Sequence, residues 1–235
     1  NTYDPLLIPV ARRMSMGDLI TMDDLTNEEI LQVLDNARKL LPVAKGDVYL
    51  PLLQGKVLGN LFFENSTRTR MSFETAMKRL GGEVLNLSSI GSSVAKGETL
   101  YDTMQMVDGY ADIAVIRHPN QGAAQYSADA VNIPILNGGD GAGNHPTQTM
   151  LDLFTIREAH GSLEGLHVMM VGDLRYGRTT HSLSHALVRF GAKITLVSPE
   201  SLRMPDEIVS DLKNHGGEIN ETEEMSSSID SADVI

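Results

Sequence analysis

Nine consecutive residues, Phe62-Phe63-Glu64-Asn65-Ser66-Thr67-Arg68-Thr69-Arg70, join an apolar strand-like run to three hydroxyls and two guanidiniums. A helix starting at Thr67 would leave its first backbone N–H groups without internal partners. Those groups sit at the positive end of the helix dipole, and such an end receives anions, phosphate among them. Arginine adds a fork that can grip phosphate oxygens with two parallel hydrogen bonds. Ser66 or Thr67 could instead be a plain N-cap with the arginines in solvent. That is the better reading of an isolated S-T-x-T, but two arginines in one turn after a buried strand favour the phosphate reading.

Other residues have a local rationale of their own. Arg117 ends an apolar run, where open parallel sheets bind ligands, although a lone arginine at a strand exit is more often a surface group. His145 precedes Pro146 at a helix start. The helix dipole there disfavours the imidazolium, leaving a neutral imidazole able to donate to a carbonyl oxygen; an ordinary helix-entry histidine fits equally well. Gln148, one turn on, offers both a donor and an acceptor to a planar urea-like group. Lys96 lies in a Gly- and Ser-rich stretch, where a solvated lysine is the default. Gly172-Asp-Leu-Arg-Tyr-Gly177 joins a strand to a helix, but the G-x-G-x-x-G spacing is missing and Leu174 and Tyr176 fill the turn, which argues against a nicotinamide site. His181 and His185 share a helical face without the H-E-x-x-H pattern or a third ligand, so a structural role is the better reading and no metal is expected. Met104, Met106, Met169 and Met170 read as core filler.

The elements that must position these groups alternate strand-like and helix-like segments, the pattern of α/β folds with parallel sheets. The spacing predicts a helix over 27–41, opened by a Thr26/Glu29 capping box, a strand over 56–63 and a helix over 67–80 stopped by Gly81-Gly82. Strands over 83–87, 112–117 and 133–136 follow, with helices over 98–110 and 122–130 between them. Pro146 suits the first turn of a long bridging helix to about 159. A second series has strands over 166–171 and 193–197 and helices over 178–190 and 205–215. A further strand opens at Ala232. The expected architecture is therefore two doubly wound parallel-sheet domains joined by a bridging helix, 1–146 and 147–235, the second incomplete because a crossover unit does not end on a strand's first residues.

The bulk chemistry narrows the functions. The 235 residues can bury a substantial core. The absence of cysteine rules out disulfides and thiolate chemistry and fits a reducing cytoplasmic setting. The formal net charge of −12 argues against nucleic acid as a partner, so an anionic ligand needs a local gathering of cations. No apolar run is long enough to span a membrane, and the first residues lack the pattern of a signal peptide.

Ser66-Thr-Arg-Thr-Arg-Met-Ser-Phe-Glu74 resembles the carbamoyl phosphate loop of the aspartate and ornithine carbamoyltransferase family. Four further blocks are similar to that family's motifs and follow in its order: Ser92-Ser-Val-Ala-Lys96-Gly-Glu-Thr-Leu100, Arg117-His-Pro119, Asn144-His-Pro-Thr-Gln148 and Val171-Gly-Asp-Leu-Arg-Tyr-Gly-Arg-Thr179. The resemblance implies transfer of the carbamoyl group of carbamoyl phosphate to an amine, without cofactor or metal. It implies that Ser66, Thr67, Arg68, Thr69 and Arg117 hold phosphate and that Thr69, Arg117 and His145 stabilise the carbonyl oxygen. Gln148 would fix the carbamoyl NH2, and Arg178 with Lys96 would engage the carboxylates of L-aspartate. Arg68, Thr69, Arg117 and His145 are thus the catalytic candidates. The family places the equivalents of Ser92 and Lys96 in the site of a neighbouring subunit, which implies a homotrimer; a regulatory partner is not legible. The Lys96 block and Thr147 favour aspartate over ornithine as acceptor. A non-catalytic anion-binding relative is the remaining alternative, and the full set of site residues speaks against it.

Overall fold

The structure, a computed structural model, describes residues 17–88, 97–141 and 143–235. Ser92 and Lys96 lie outside the described residues. The element order is α1 (Asn27–Lys39), α2 (Leu41–Lys45), β1 (Val57–Phe62), α3 (Thr67–Arg79), β2 (Glu83–Ser88), α4 (Leu100–Asp108), β3 (Ile113–His118), α5 (Ala123–Ala130) and β4 (Ile135–Asp140). It continues with α6 (Pro146–His160), β5 (His167–Val171), α7 (Arg178–Val188), β6 (Lys193–Val197), α8 (Asp206–Asn214) and β7 (Glu218–Thr222). The strands form two parallel sheets, in the orders β2-β1-β3-β4 and β5-β6-β7. The expected α/β architecture with two parallel sheets is what the chain adopts. Among the described residues, no helix is long and apolar enough to cross a membrane.

Burial follows from helices covering the sheets. The central strands β1 and β3 are buried along nearly their whole length, which is why they read as continuous apolar runs rather than alternating ones. The Thr26/Glu29 capping box forms as expected: Thr26 N–H donates to Glu29 at 2.8 Å and Glu29 N–H to Thr26 Oγ1 at 3.2 Å.

Four local expectations need correction. The helix predicted over 27–41 is two helices, because Pro42 has no N–H for the ladder and its ring collides with the preceding turn. The strand predicted over 133–136 is shifted to Ile135–Asp140. Its last four residues, Asn-Gly-Gly-Asp, look like a loop in sequence, but Asn137 and Asp140 pair with β3 on either side of a register shift. β7 was not foreseen, since Glu-Ile-Asn-Glu-Thr carries one large apolar side chain and lies beside β6 alone. Met106 is exposed rather than core, while Met104, Met169 and Met170 are buried. The strand opening at Ala232 has its counterpart in a parallel bridge of Val234 to Val168.

The larger apolar core is assembled from distant parts of the sequence. Ile30 and Leu34 of α1 and Leu153 of α6 pack in one cluster with Leu187 of α7 and Ile194 of β6. Arg189, just past α7, ties the same regions together: it donates from Nε to Asn27 at 2.9 Å, and from its terminal nitrogens to the carbonyls of Met22 at 2.9 Å and Leu25 at 2.5 Å. Leu19, in the segment before α1, pairs with Leu136 of β4, so these ties connect the sheet that carries the Ser66 turn to the helix that carries Arg178. Leu153 is wholly buried in this cluster. Leu153→Ala removes its contacts and leaves a cavity, so urea unfolding should show a loss of about 2–5 kcal/mol; a loss below about 1 kcal/mol would mean that α6 is not packed as described.

Candidate active site

The β1–α3 turn carries the first group of candidates. Phe62 is buried and Phe63 N–H bonds the Arg117 carbonyl at 2.8 Å, which fixes where β1 ends beside β3. Ser66 is the N-cap residue of α3 with extended backbone, and its side chain makes no capping hydrogen bond. The capping bond of the plain N-cap alternative is therefore missing, which leaves the leading amides of α3 without that partner, although Arg68 is exposed as the alternative has it. Arg68 and Thr69 border the same opening. Arg70 is exposed, does not line that opening, and acts electrostatically on Glu74. The expectation of two guanidiniums in this turn thus reduces to one, because residues two apart on a helix face apart.

Arg117 is where the sheet contributes. It sits near the end of β3, 8% exposed, with a guanidinium nitrogen donating to the Gly138 carbonyl at 3.1 Å and Nε 3.3 Å from a Glu64 oxygen. Neither Nε nor that oxygen completes a hydrogen bond. Burial lowers the Arg117 pKa most, Arg178 lowers it further, and Glu64 opposes them; an arginine nonetheless stays charged. Room for the guanidinium comes from β4. Gly139 has φ +115°, and a Cβ there would stand 2.8 Å from an Arg117 nitrogen, so neither the backbone nor the space admits a side chain.

His145 is the N-cap residue of α6 and 7% exposed. Its pKa is pushed down to about 4, by burial first and then by Arg117 and Arg178. This downward shift fits the expected neutral imidazole, with desolvation as its largest cause. Thr147 Oγ1 lies 3.3 Å from Nδ1. The loop before His145 is pinned by Asp140, a residue the sequence reading passed over. Its buried carboxylate accepts from Asn137 Nδ2 at 3.0 Å, Gly122 N–H at 2.8 Å and Asn144 N–H at 3.0 Å. An Asp closing a strand just before a Gly-rich turn was the signal that could have found it.

Arg178 opens α7, on the other sheet, and reaches back to donate to the Gly141 carbonyl at the exit of β4. The turn before it is braced by its own polar groups. Asp173 accepts from the N–H groups of Arg175 at 3.2 Å and Tyr176 at 3.0 Å, and His181 lies 2.7 Å from the Leu174 carbonyl. Leu174 is fully buried. His185 instead faces Asp211 at 3.5 Å, so the two histidines serve separate contacts. Among the described residues, no group of three or more His, Asp or Glu is arranged to hold a metal ion.

Ser66, Thr67, Arg68, Thr69, Arg117, His145, Gln148 and Arg178 all line one cavity of about 750 Å³. Asn65, Asp152 and Thr179 complete its wall and were not anticipated. Three guanidiniums, a helix N-terminus and a neutral imidazole around one opening make a receptor for a compact dianion attached to a carbonyl.

Comparison with known proteins agrees with this geometry. Residues 17–158 match the family model described as aspartate/ornithine carbamoyltransferase, carbamoyl-P binding domain, and residues 164–235 the one described as the Asp/Orn binding domain. The aspartate carbamoyltransferase catalytic subunit of Methanococcoides burtonii is 54% identical over 226 residues, covering 94% of this chain and 73% of that protein. A solved catalytic subunit of M. jannaschii aspartate transcarbamoylase superposes with a TM-score of 0.85 at 50% identity, over 90% of this chain and 70% of that one. Trypanosoma cruzi aspartate transcarbamoylase in complex with carbamoyl phosphate and aspartate gives 0.86 at 39% identity, over 91% and 69%. The chain belongs to the aspartate/ornithine carbamoyltransferase family.

Proposed function

We propose that this chain transfers the carbamoyl group of carbamoyl phosphate to the amine of L-aspartate, giving N-carbamoyl-L-aspartate and phosphate, a step of pyrimidine synthesis. The observation that carries the reading is the gathering of Arg68, Arg117 and Arg178 with neutral His145 around one cavity at the free end of α3. The relatives named for the aspartate reaction, at 54% identity, support that acceptor over ornithine.

In this reading the unprotonated amine attacks the carbamoyl carbon. A C–N bond forms, the carbonyl oxygen gains charge, and the C–O bond to phosphate then breaks with its electron pair leaving on phosphate. The proton shed by nitrogen passes to the departing phosphate. Ser66, Thr67, Arg68, Thr69 and Arg117 hold the phosphate, and Thr69, Arg117 and His145 donate to the carbonyl oxygen. With a pKa of about 4, His145 is too weak a base to take the amine proton and is suited to donate a neutral N–H. If the Thr147 hydroxyl donates to Nδ1, the ring proton sits on Nε2. Gln148 orients the carbamoyl NH2 and Arg178 holds an aspartate carboxylate. Orientation of two bound reactants supplies much of the acceleration.

The division at 146, with carbamoyl phosphate bound by 1–146 and aspartate by 147–235, belongs to the same reading. So do a cytoplasmic setting and a homotrimer in which Ser92 and Lys96 enter the neighbouring subunit's site. A coupled phosphate-release assay tests the whole. Aspartate should drive release, with ornithine at the no-acceptor level; release driven by ornithine would overturn it.

Arg68→Ala should lower turnover by at least about a hundredfold, the scale for loss of a charge-stabilising donor, with little change in the thermal melt. Near-normal turnover would remove Arg68 from the phosphate site. Mixed and reassembled Lys96→Ala and Arg117→Ala subunits, each inactive alone, should recover part of the activity; no recovery at any mixing ratio would argue against shared sites. His145 gives a pH signature. The unfolded chain protonates it near 6.5 and the folded chain only near 4, so protons favour the unfolded state as pH falls across that window. The stability advantage of wild type over His145→Gln should therefore shrink by about 3 kcal/mol between pH 7 and pH 4 and level off below. A difference that stays constant in urea melts would show that the imidazole is not held neutral.

A further inference from the structure

Gln148 and Asp152 lie one turn apart on α6, and both border the cavity. Gln148 Nε2 donates to Asp152 Oδ1 at 3.1 Å. The carboxylate is out of place electrostatically. It is half-buried beside an opening lined with arginines, and its negative charge opposes entry of a dianion. Attraction of phosphate is therefore not its role.

Its effect on Gln148 is specific. An ionised carboxylate can only accept hydrogen bonds. It accordingly selects the NH2 end of the glutamine amide and turns Oε1 to the opposite side. Without such a partner the two flips of a glutamine amide differ little, since either end finds hydrogen bonds. Among the described residues, Gln148 Oε1 accepts from no protein group, which leaves an acceptor to be used by a ligand. The carbamoyl NH2 group is a donor and needs an acceptor.

We propose that Asp152 is a positioning residue whose carboxylate fixes the flip of the Gln148 amide, so that Oε1 meets the carbamoyl NH2 in the cavity. The inference rests on the carbamoyl-transfer reading above and deepens it. Burial raises the Asp152 pKa and the Gln148 hydrogen bond opposes the rise, which keeps the carboxylate dependent on this partner.

The test is a set of variants of the intact protein, with kcat/KM for carbamoyl phosphate measured at saturating aspartate and thermal melts run in parallel. Asp152→Leu removes the acceptor at similar size and should lower kcat/KM about tenfold. Asp152→Asn replaces the acceptor-only carboxylate with a carboxamide that can meet either end of the glutamine amide, so the flip is no longer fixed and kcat/KM should fall toward the Asp152→Leu level. In a Gln148→Ala background, Asp152→Leu should change kcat/KM by less than about twofold, because the group it positions is gone. If Asp152→Leu does not fold, Asp152→Ala takes its place in the same cycle. Wild-type kcat/KM in Asp152→Asn would overturn the proposal, since the flip would then not depend on an acceptor-only partner. Losses that multiply in the double variant would overturn it too, since Asp152 would then act independently of Gln148. Absence of aspartate-dependent phosphate release from the wild-type protein would instead overturn the parent reading, and this inference with it.

Discussion

The site depends on holding like charges together before any counter-charge arrives. Arg117 and Arg178 each lower the pKa of His145, and Arg178 lowers that of Arg117. A chain with a formal net charge of −12 could quench such a cluster with its own carboxylates, yet among the described residues only Glu64 pairs with Arg117, and without completed hydrogen bonds on either atom. The cluster is thus left short of negative charge by construction. Polar groups fixed in advance need not reorganise when charge develops in the reaction, which is where electrostatic catalysis gains most.

That arrangement is unfavourable in isolation, so the scaffold must hold it. Arg117 is locked by the Gly138 carbonyl and by the space that Gly139 leaves open. Asp140, the next residue, closes the loop that delivers His145. Three consecutive residues of one strand therefore set both the cation and the imidazole. Arg178 arrives from the other sheet, and its approach relies on the shared core of α1, α6 and α7 and on the Arg189 ties. A perturbation of that core would reach the chemistry by moving Arg178 relative to Arg117, with no change in either side chain.

The elements legible in the sequence were those whose own side chains specify them. The Thr26/Glu29 cap, the β1-to-α3 turn, the buried run of β3 and the Pro146 start of α6 each carry a local signal, and each formed. What escaped was set by tertiary context. Asn137-Gly-Gly-Asp140 becomes strand because β3 offers a parallel partner. Glu218–Thr222 becomes strand because β6 needs a neighbour, not because its residues favour one. At the site the same division holds. Residue types that bind anions announced themselves, whereas Asp140 and Asp152 carry the wrong charge for such a pocket and become meaningful only once their hydrogen-bond partners are known. Arg70 shows the converse: its type and spacing matched, and helix geometry turned it away.

In the carbamoyl-transfer reading, His145 would link binding of the leaving group to activation of the carbonyl. Burial first, and then Arg117 and Arg178, keep its ring neutral. A dianion lodged between Arg117 and the α3 terminus would cancel part of the positive field of the arginines, while burial, the larger cause of the lowered pKa, would remain. A neutral N–H donor does not need protonation to act, but positive charge becomes easier to carry on the ring as the bound phosphate offsets the arginines. Its donation to the carbonyl oxygen would then be strongest once the phosphate is in place. The electrostatics that disfavour an imidazolium would in this way be eased by the same phosphate that the reaction releases.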